Sequence, residues 1–201
     1  MTADRSGEGK ASERPAPGRP RDGRIDAAII AATRDLILQT GYSALSLSAI
    51  AARAGTTTAA IYRRWSSKVH LVHEAVLSDA TVTVPPGSDD VRQNIRALVE
   101  TTRAMFDRPE VRVALPGLIA DTVADPDLHA MMIARLAGNL AEFETRIGQE
   151  RRGGDELPML AEVVAGSAIF RLLIRNDAAL DDAWVTAMTD LITERWPHGQ
   201  G

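Results

Sequence analysis

The 201 residues include no cysteine. Disulfides, thiolate metal sites and cysteine nucleophiles are therefore excluded. No apolar run approaches the length needed to span a bilayer. None precedes Ile25 either, where an ordinary signal peptide would carry its hydrophobic segment. A soluble, cytoplasmic protein is expected. Lysine is almost missing, with only Lys10 and Lys68 beside a large excess of arginine. No stretch alternates apolar and polar residues as a half-buried strand does. The usual constellations of catalysis are missing as well. There is no Glu-x-x-His pair for a di-iron bundle. Ser167 lies in a helical run, not at the strand-to-helix turn of a nucleophile elbow. His70, His73 and Glu74 lie close together without a fourth ligand, and are read as a solvated or pocket-lining face. No enzyme, metal or cofactor is expected.

What is present is an uneven distribution of charge. The total is −4, yet ten basic residues face four acidic ones between Lys10 and Lys68, a net of +6. Residues 1–9 carry −1, which leaves −9 for everything after Lys68. A basic front and an acidic rear would orient the molecule on a polyanion.

The periodicity is helical from Arg24 onward, and an all-α fold of about nine helices is expected. Residues 1–23 are polar, rich in Gly, Pro and Arg, and without period, so they read as a disordered basic arm. Within it, Arg19 and Arg21 flank Pro20 in an element resembling those that enter A·T minor grooves, the alternative being an ordinary solvated tail. Ile25, Ala28, Ile29, Ala32 and Leu36 trace one face of a first helix that Gly41 stops. Ser66 or Ser67 can cap a fourth helix from Lys68 to about Ala80. Pro85-Pro86-Gly87 then breaks the chain. A second domain over 88–197 follows. Its fifth helix opens at Ser88-Asp89-Asp90, a cap followed by two acids that the helix dipole favours, and a short sixth opens at Pro109 and kinks at Pro116-Gly117. The seventh starts at Asp125-Pro126, the eighth runs from about Pro158 to Arg175, and the ninth from Asp181 to about Trp196. Val163 and Leu172 on the eighth, and Leu191 and Trp196 on the ninth, are assigned to inward faces.

The segment between the first and fourth helices is the most specific. Ser46 can cap a second helix over Leu47, Ile50 and Ala51, which Ala54-Gly55 ends. Thr57 can cap a third, with Ile61 inward and Tyr62, Arg63 and Arg64 at its end. Two compact helices joined by a Gly-containing turn form a helix-turn-helix, here at about 46–65. Its second helix presents hydroxyls where bases are read and basic residues where phosphates are gripped. Adjacent helix positions diverge by about 100°, so Arg63 and Arg64 cannot both face DNA. Trp65 is expected to close the small core, and the fourth helix is expected to be the only direct link to the second domain.

Gly41-Tyr42, Leu47-Ser48-Ala49-Ile50-Ala51-Ala52-Arg53-Ala54-Gly55, Ala59-Ala60-Ile61-Tyr62-Arg63-Arg64-Trp65 and Ser67-Lys68 together resemble the TetR family of bacterial transcriptional regulators. The resemblance is close over 24–80, the DNA-binding domain, and elsewhere holds only in layout. It implies a homodimer joined by the last two helices, double-stranded operator DNA as partner, and a small-molecule effector held in the C-terminal bundle. Position by position, it implies phosphate contacts for Tyr62 and Lys68, and base or phosphate contacts for Thr57 and Thr58. Ser46 matches a capping residue that meets a phosphate. Thr57-Thr58-Ala59-Ala60 departs from the Ser-Lys-Ala-Thr of many relatives, so Ala60 replaces a hydroxyl with a methyl suited to thymine. Binding then leans on Arg63, Arg64 and the arm. Met105, Phe106, Met132, Phe143 and Phe170 are candidates for an adaptable apolar pocket, or ordinary core. A repressor released by its effector is the expected function. The alternatives are a helical-bundle carrier or enzyme with a vestigial helix-turn-helix, and a regulator with no ligand.

Overall fold

The computed structural model describes residues 23–77, 88, 90–147, 156–175 and 179–195. All of the regular structure among them is helical. Four helices form a head: α1 (Gly23–Ala44), α2 (Leu47–Arg53), α3 (Thr58–Tyr62) and α4 (Lys68–Leu77). Five form a body: α5 (Val91–Phe106), α6 (Pro109–Ala124), α7 (Pro126–Ile147), α8 (Glu156–Ile169) and α9 (Asp182–Arg195). A π-helical turn, Phe170–Arg175, continues α8.

The local signals act as their chemistry dictates. α1 is interrupted at Gly41, where φ is 79° and ψ 168°, a backbone state that costs glycine little and other residues more. Ser46 Oγ accepts from Ala49 N at 3.2 Å and starts α2. Gly55, at φ 64°, turns the chain between α2 and α3. Thr57 Oγ1 accepts from Ala60 N at 3.2 Å and starts α3. Ser67, rather than Ser66, caps α4 by accepting from His70 N at 3.1 Å. Asp90, rather than Ser88, caps α5, and Asp125 caps α7, in the same way. Each cap satisfies a backbone donor that the helix itself cannot, which is worth about 0.5–2 kcal/mol.

The head packs around Ile29, Ile37, Ile50, Ile61 and Leu71, all fully buried, with Trp65 closing the cluster. Burying each of these aliphatic side chains contributes about 1.5–3 kcal/mol. Ile37, outside the face read from the sequence, belongs to this core. His73 is also buried, at 2% exposure, and does not lie on a solvated face. In the body, α5 packs on α9 and α8, and α6 on α7. Arg92–Asp190 and Arg103–Asp182 ion pairs tie α5 to α9 across their exposed edge.

Two expectations about α6 are corrected. It is a full 16-residue helix that runs through Pro116, because its inward residues Val111, Ala114, Leu115, Leu118 and Thr122 hold both halves in one packed face. It also packs against α1 as well as α4. The fourth helix is therefore not the sole direct link between head and body. On α8 and α9 the periodicity misassigned two residues: Val163 and Leu191 are exposed, not inward. Trp196 lies outside the described residues.

Candidate nucleic-acid interface

Exposure divides α3 into two faces. Thr58, Ala59, Tyr62 and Arg63 are exposed, whereas Ala60, Ile61 and Trp65 are buried. Positions i, i+1, i+4 and i+5 form one contiguous stripe on a helix, so the exposed set makes a single surface. Tyr62 is 58% exposed, which removes the core reading for its ring. Thr57 and Ser46 are exposed as well, although each hydroxyl already caps its own helix.

Ala60 is a correction. At 5% exposure its methyl packs into the head and is not presented to DNA. The capping bond from its own N–H to Thr57 orients it inward. The two adjacent arginines part company as helix geometry requires. Arg64 forms an ion pair with Asp26 of α1 and donates from Nη1 to the Ala60 carbonyl at 3.0 Å. It therefore holds α3 against α1 within the head, while Arg63 stays on the exposed stripe. Arg19 and Arg21 lie outside the described residues.

Lys68 stands at the first position of α4, partly buried. Its ammonium donates to the Tyr42 carbonyl at 3.3 Å and lies 4.4 Å from the centroid of the Tyr42 ring. Tyr42 in turn is buried, and its hydroxyl donates to Asp121 Oδ2 of α6 at 2.5 Å. Burial, then the hydrogen bond to Asp121 and its charge, push the Tyr42 hydroxyl well above its ordinary value of 10.0. A Cβ at Gly117 of α6 would come within 2.2 Å of the Tyr42 ring, so Gly117 is the residue that lets this ring approach α6. The sequence pointed to Tyr42 only as part of a motif, and Pro116-Gly117 read as a kink. Only the fold brings them together.

The pocket candidates among the described side chains differ in burial. Phe106 is packed in the core, Met105 and Met132 are partly buried, and Phe170 is 53% exposed. The side chain of Phe143 lies outside the described set. A groove of about 370 Å³ is lined instead by Arg171, Asp181, Ala183, Trp184, Ala187, Met188 and Leu191. No group of three or more His, Asp or Glu that could hold a metal occurs among the described residues. No described helix is long and apolar enough to cross a membrane.

The family model for bacterial regulatory proteins of the tetR family matches residues 29–75, and that for the tetracyclin repressor-like C-terminal domain matches residues 85–192. The chain belongs to the TetR family. It is a helix-turn-helix transcriptional regulator. Among similar proteins, the HTH-type transcriptional regulator Rv1556 of Mycobacterium tuberculosis is 36% identical over 185 residues, 89% of each chain. YdeS of Bacillus subtilis, also an HTH-type regulator, is 30% identical over 173 residues, 82% of this chain and 86% of its own. In fold, the chain resembles the TetR family transcription regulator SCO0332, with a TM-score of 0.63 and 26% identity, covering 87% of this chain and 100% of that one. It also resembles the multidrug binding protein EbrR, with a TM-score of 0.64 and 19% identity over 92% and 100% of the two chains.

Proposed function

We propose that this TetR-family regulator is a cytoplasmic repressor that holds an operator as a homodimer and releases it when a small molecule binds the body. In this reading residues 24–80 are the DNA-binding domain and 88–197 the domain for ligand binding and dimerisation. The observation that carries it is the single exposed stripe of Thr58, Ala59, Tyr62 and Arg63, flanked by Ser46, Thr57 and Lys68. Hydroxyls and methyls at the start of a recognition helix suit base edges, and the Tyr62 hydroxyl, Arg63 and Lys68 suit phosphates. The +6 charge between Lys10 and Lys68 favours the same orientation.

Dimerisation through α8 and α9 is supported by exposed apolar side chains on both. Met159, Val163, Phe170 and Ile174 lie on α8 and its π extension, and Leu191 on α9 beside the groove. Exposed apolar side chains that join into one patch mark interaction surfaces. Paired heads about one helical turn apart, ~34–36 Å, would meet successive major grooves. An effector that prefers a body with mis-spaced heads needs a differential affinity of only about 1–3 kcal/mol to change occupancy 5–150-fold.

The test is a gel shift on DNA from upstream of the protein's own gene. Tyr62→Phe combined with Lys68→Ala should weaken binding strongly; indifference to both changes would sink the DNA reading. Thermal-shift screening against a broad apolar library tests the effector, since a ligand of the native state raises the melting point. No hits would favour a regulator that needs no ligand.

A further inference from the structure

We infer that Tyr42 is a positioning residue for the DNA contact of Lys68, and that Asp121 of α6 sets Tyr42. The body thereby adjusts a phosphate contact through the end of α1, beyond its interruption at Gly41. The inference rests on the reading of Lys68 as a phosphate-binding residue.

The chain of contacts is short. A lysine ammonium has three donors and a long flexible stem. At Lys68 one donor is engaged by the Tyr42 carbonyl at 3.3 Å, and the ammonium rests 4.4 Å from the Tyr42 ring centroid. Cation–π attraction and the hydrogen bond act on the same group, so the head of the side chain is held in place before any DNA arrives. The remaining donors are left for a phosphate. Tyr42 itself has little freedom. Its ring is buried, its far end is bonded to Asp121 at 2.5 Å, and its face lies where a Cβ on Gly117 would collide. Both of these restraints come from α6, which also packs on α7 in the body. A displacement of α6 by the length of a weakened hydrogen bond therefore shifts or frees the ring over which Lys68 is held.

The experiment uses the full chain and a duplex recovered by the wild-type protein from a random-sequence pool. Affinity is measured across a salt series for wild type, Lys68→Ala, Tyr42→Phe, Asp121→Ala, Asp121→Asn and the double variant Asp121→Ala/Lys68→Ala, each checked for folding by circular dichroism. Loss of one phosphate contact should lower the slope of log affinity against log salt by about 1 in Lys68→Ala. Tyr42→Phe and Asp121→Ala should each lower the slope in the same direction and weaken binding about three- to tenfold, the size of coupling seen between residues in contact. Asp121→Asn keeps an oxygen acceptor for the Tyr42 hydroxyl and should bind like wild type. In the Lys68→Ala background, Asp121→Ala should have no further effect. An unchanged salt slope in Asp121→Ala and Tyr42→Phe, or losses that simply multiply in the double variant, overturns the inference and leaves Lys68 in its place. A slope that Lys68→Ala does not change overturns the DNA-contact reading beneath it. Should Asp121→Ala fail to fold, Tyr42→Phe alone and on Lys68→Ala carries the same comparison.

Discussion

Arg34 of α1 donates from Nε to the carbonyl oxygen of Ala75, in the last turn of α4, at 2.6 Å. The bond runs from one helix to another, so it holds α4 at its angle to α1. A charged donor makes such a bond stronger than a neutral one. Replacing Arg34 by Met keeps much of the apolar stem and removes the donor. The expected loss is about 1.5–3 kcal/mol, the range for hydrogen bonds to charged groups. Urea unfolding should show a lower midpoint at an unchanged m value.

Gly117 and Gly41 separate two reasons for a glycine. A Cβ at Gly41 meets nothing within 4 Å, so Gly41→Ala is opposed only by its backbone state of φ 79° and ψ 168°, at a cost of about 1–3 kcal/mol. At Gly117 the obstacle is the Tyr42 ring, 2.2 Å from the added atom. Gly117→Ala forces a buried ring to move, and overpacking of this kind costs about 1–3 kcal/mol. A second change, Tyr42→Leu, should recover part of the Gly117→Ala loss and none of the Gly41→Ala loss. Equal rescue of both would place the strain elsewhere.

Tyr42 also predicts a dependence on alkaline pH. Its folded-state pKa lies above the unfolded value, because burial and then Asp121 oppose the phenolate. A group raised in this way contributes its stability fully below the unfolded pKa and loses it as pH rises toward the folded one. The loss should begin near the ordinary value of 10.0 and grow above it. Melting temperatures from about pH 8 to 11 should fall more steeply for wild type than for Tyr42→Phe, which has no proton to lose. Parallel curves would show that the hydroxyl is not held protonated by the fold.

The caps and the helix-turn-helix were legible from sequence because their chemistry is local. Ser46 meets Ala49, Thr57 meets Ala60 and Asp125 meets Leu128, each three residues on, and the turns at Gly41 and Gly55 need only a glycine. The Tyr42–Asp121 bond joins residues 79 apart, and no period in the chain encodes it. Pro116-Gly117 has a role that its own two residues do not announce. Its proline suggested a kink, while its glycine makes room for a ring from another helix. Ala60 failed for a further reason, since a small apolar residue suits a thymine methyl and a tight core equally well. Val163 and Leu191 fit a helical apolar face but are exposed. Hydrophobic periodicity reports that a face avoids water, not whether the chain itself or a second copy covers it.

That last ambiguity yields a prediction about assembly. Phe170 and Leu191 are 53% and 54% exposed, and Leu191 borders the groove beside α9. Neither side chain supports the monomer's core, so changing both to Glu should leave the helical signal and the head intact. A charge placed in an apolar interface is strongly unfavourable unless it is paired. Phe170→Glu/Leu191→Glu should therefore halve the mass measured by analytical ultracentrifugation. Operator affinity should fall with it, because a single head contacts only one half-site. An unchanged mass in the double variant would mean that these two side chains are not part of the dimer contact.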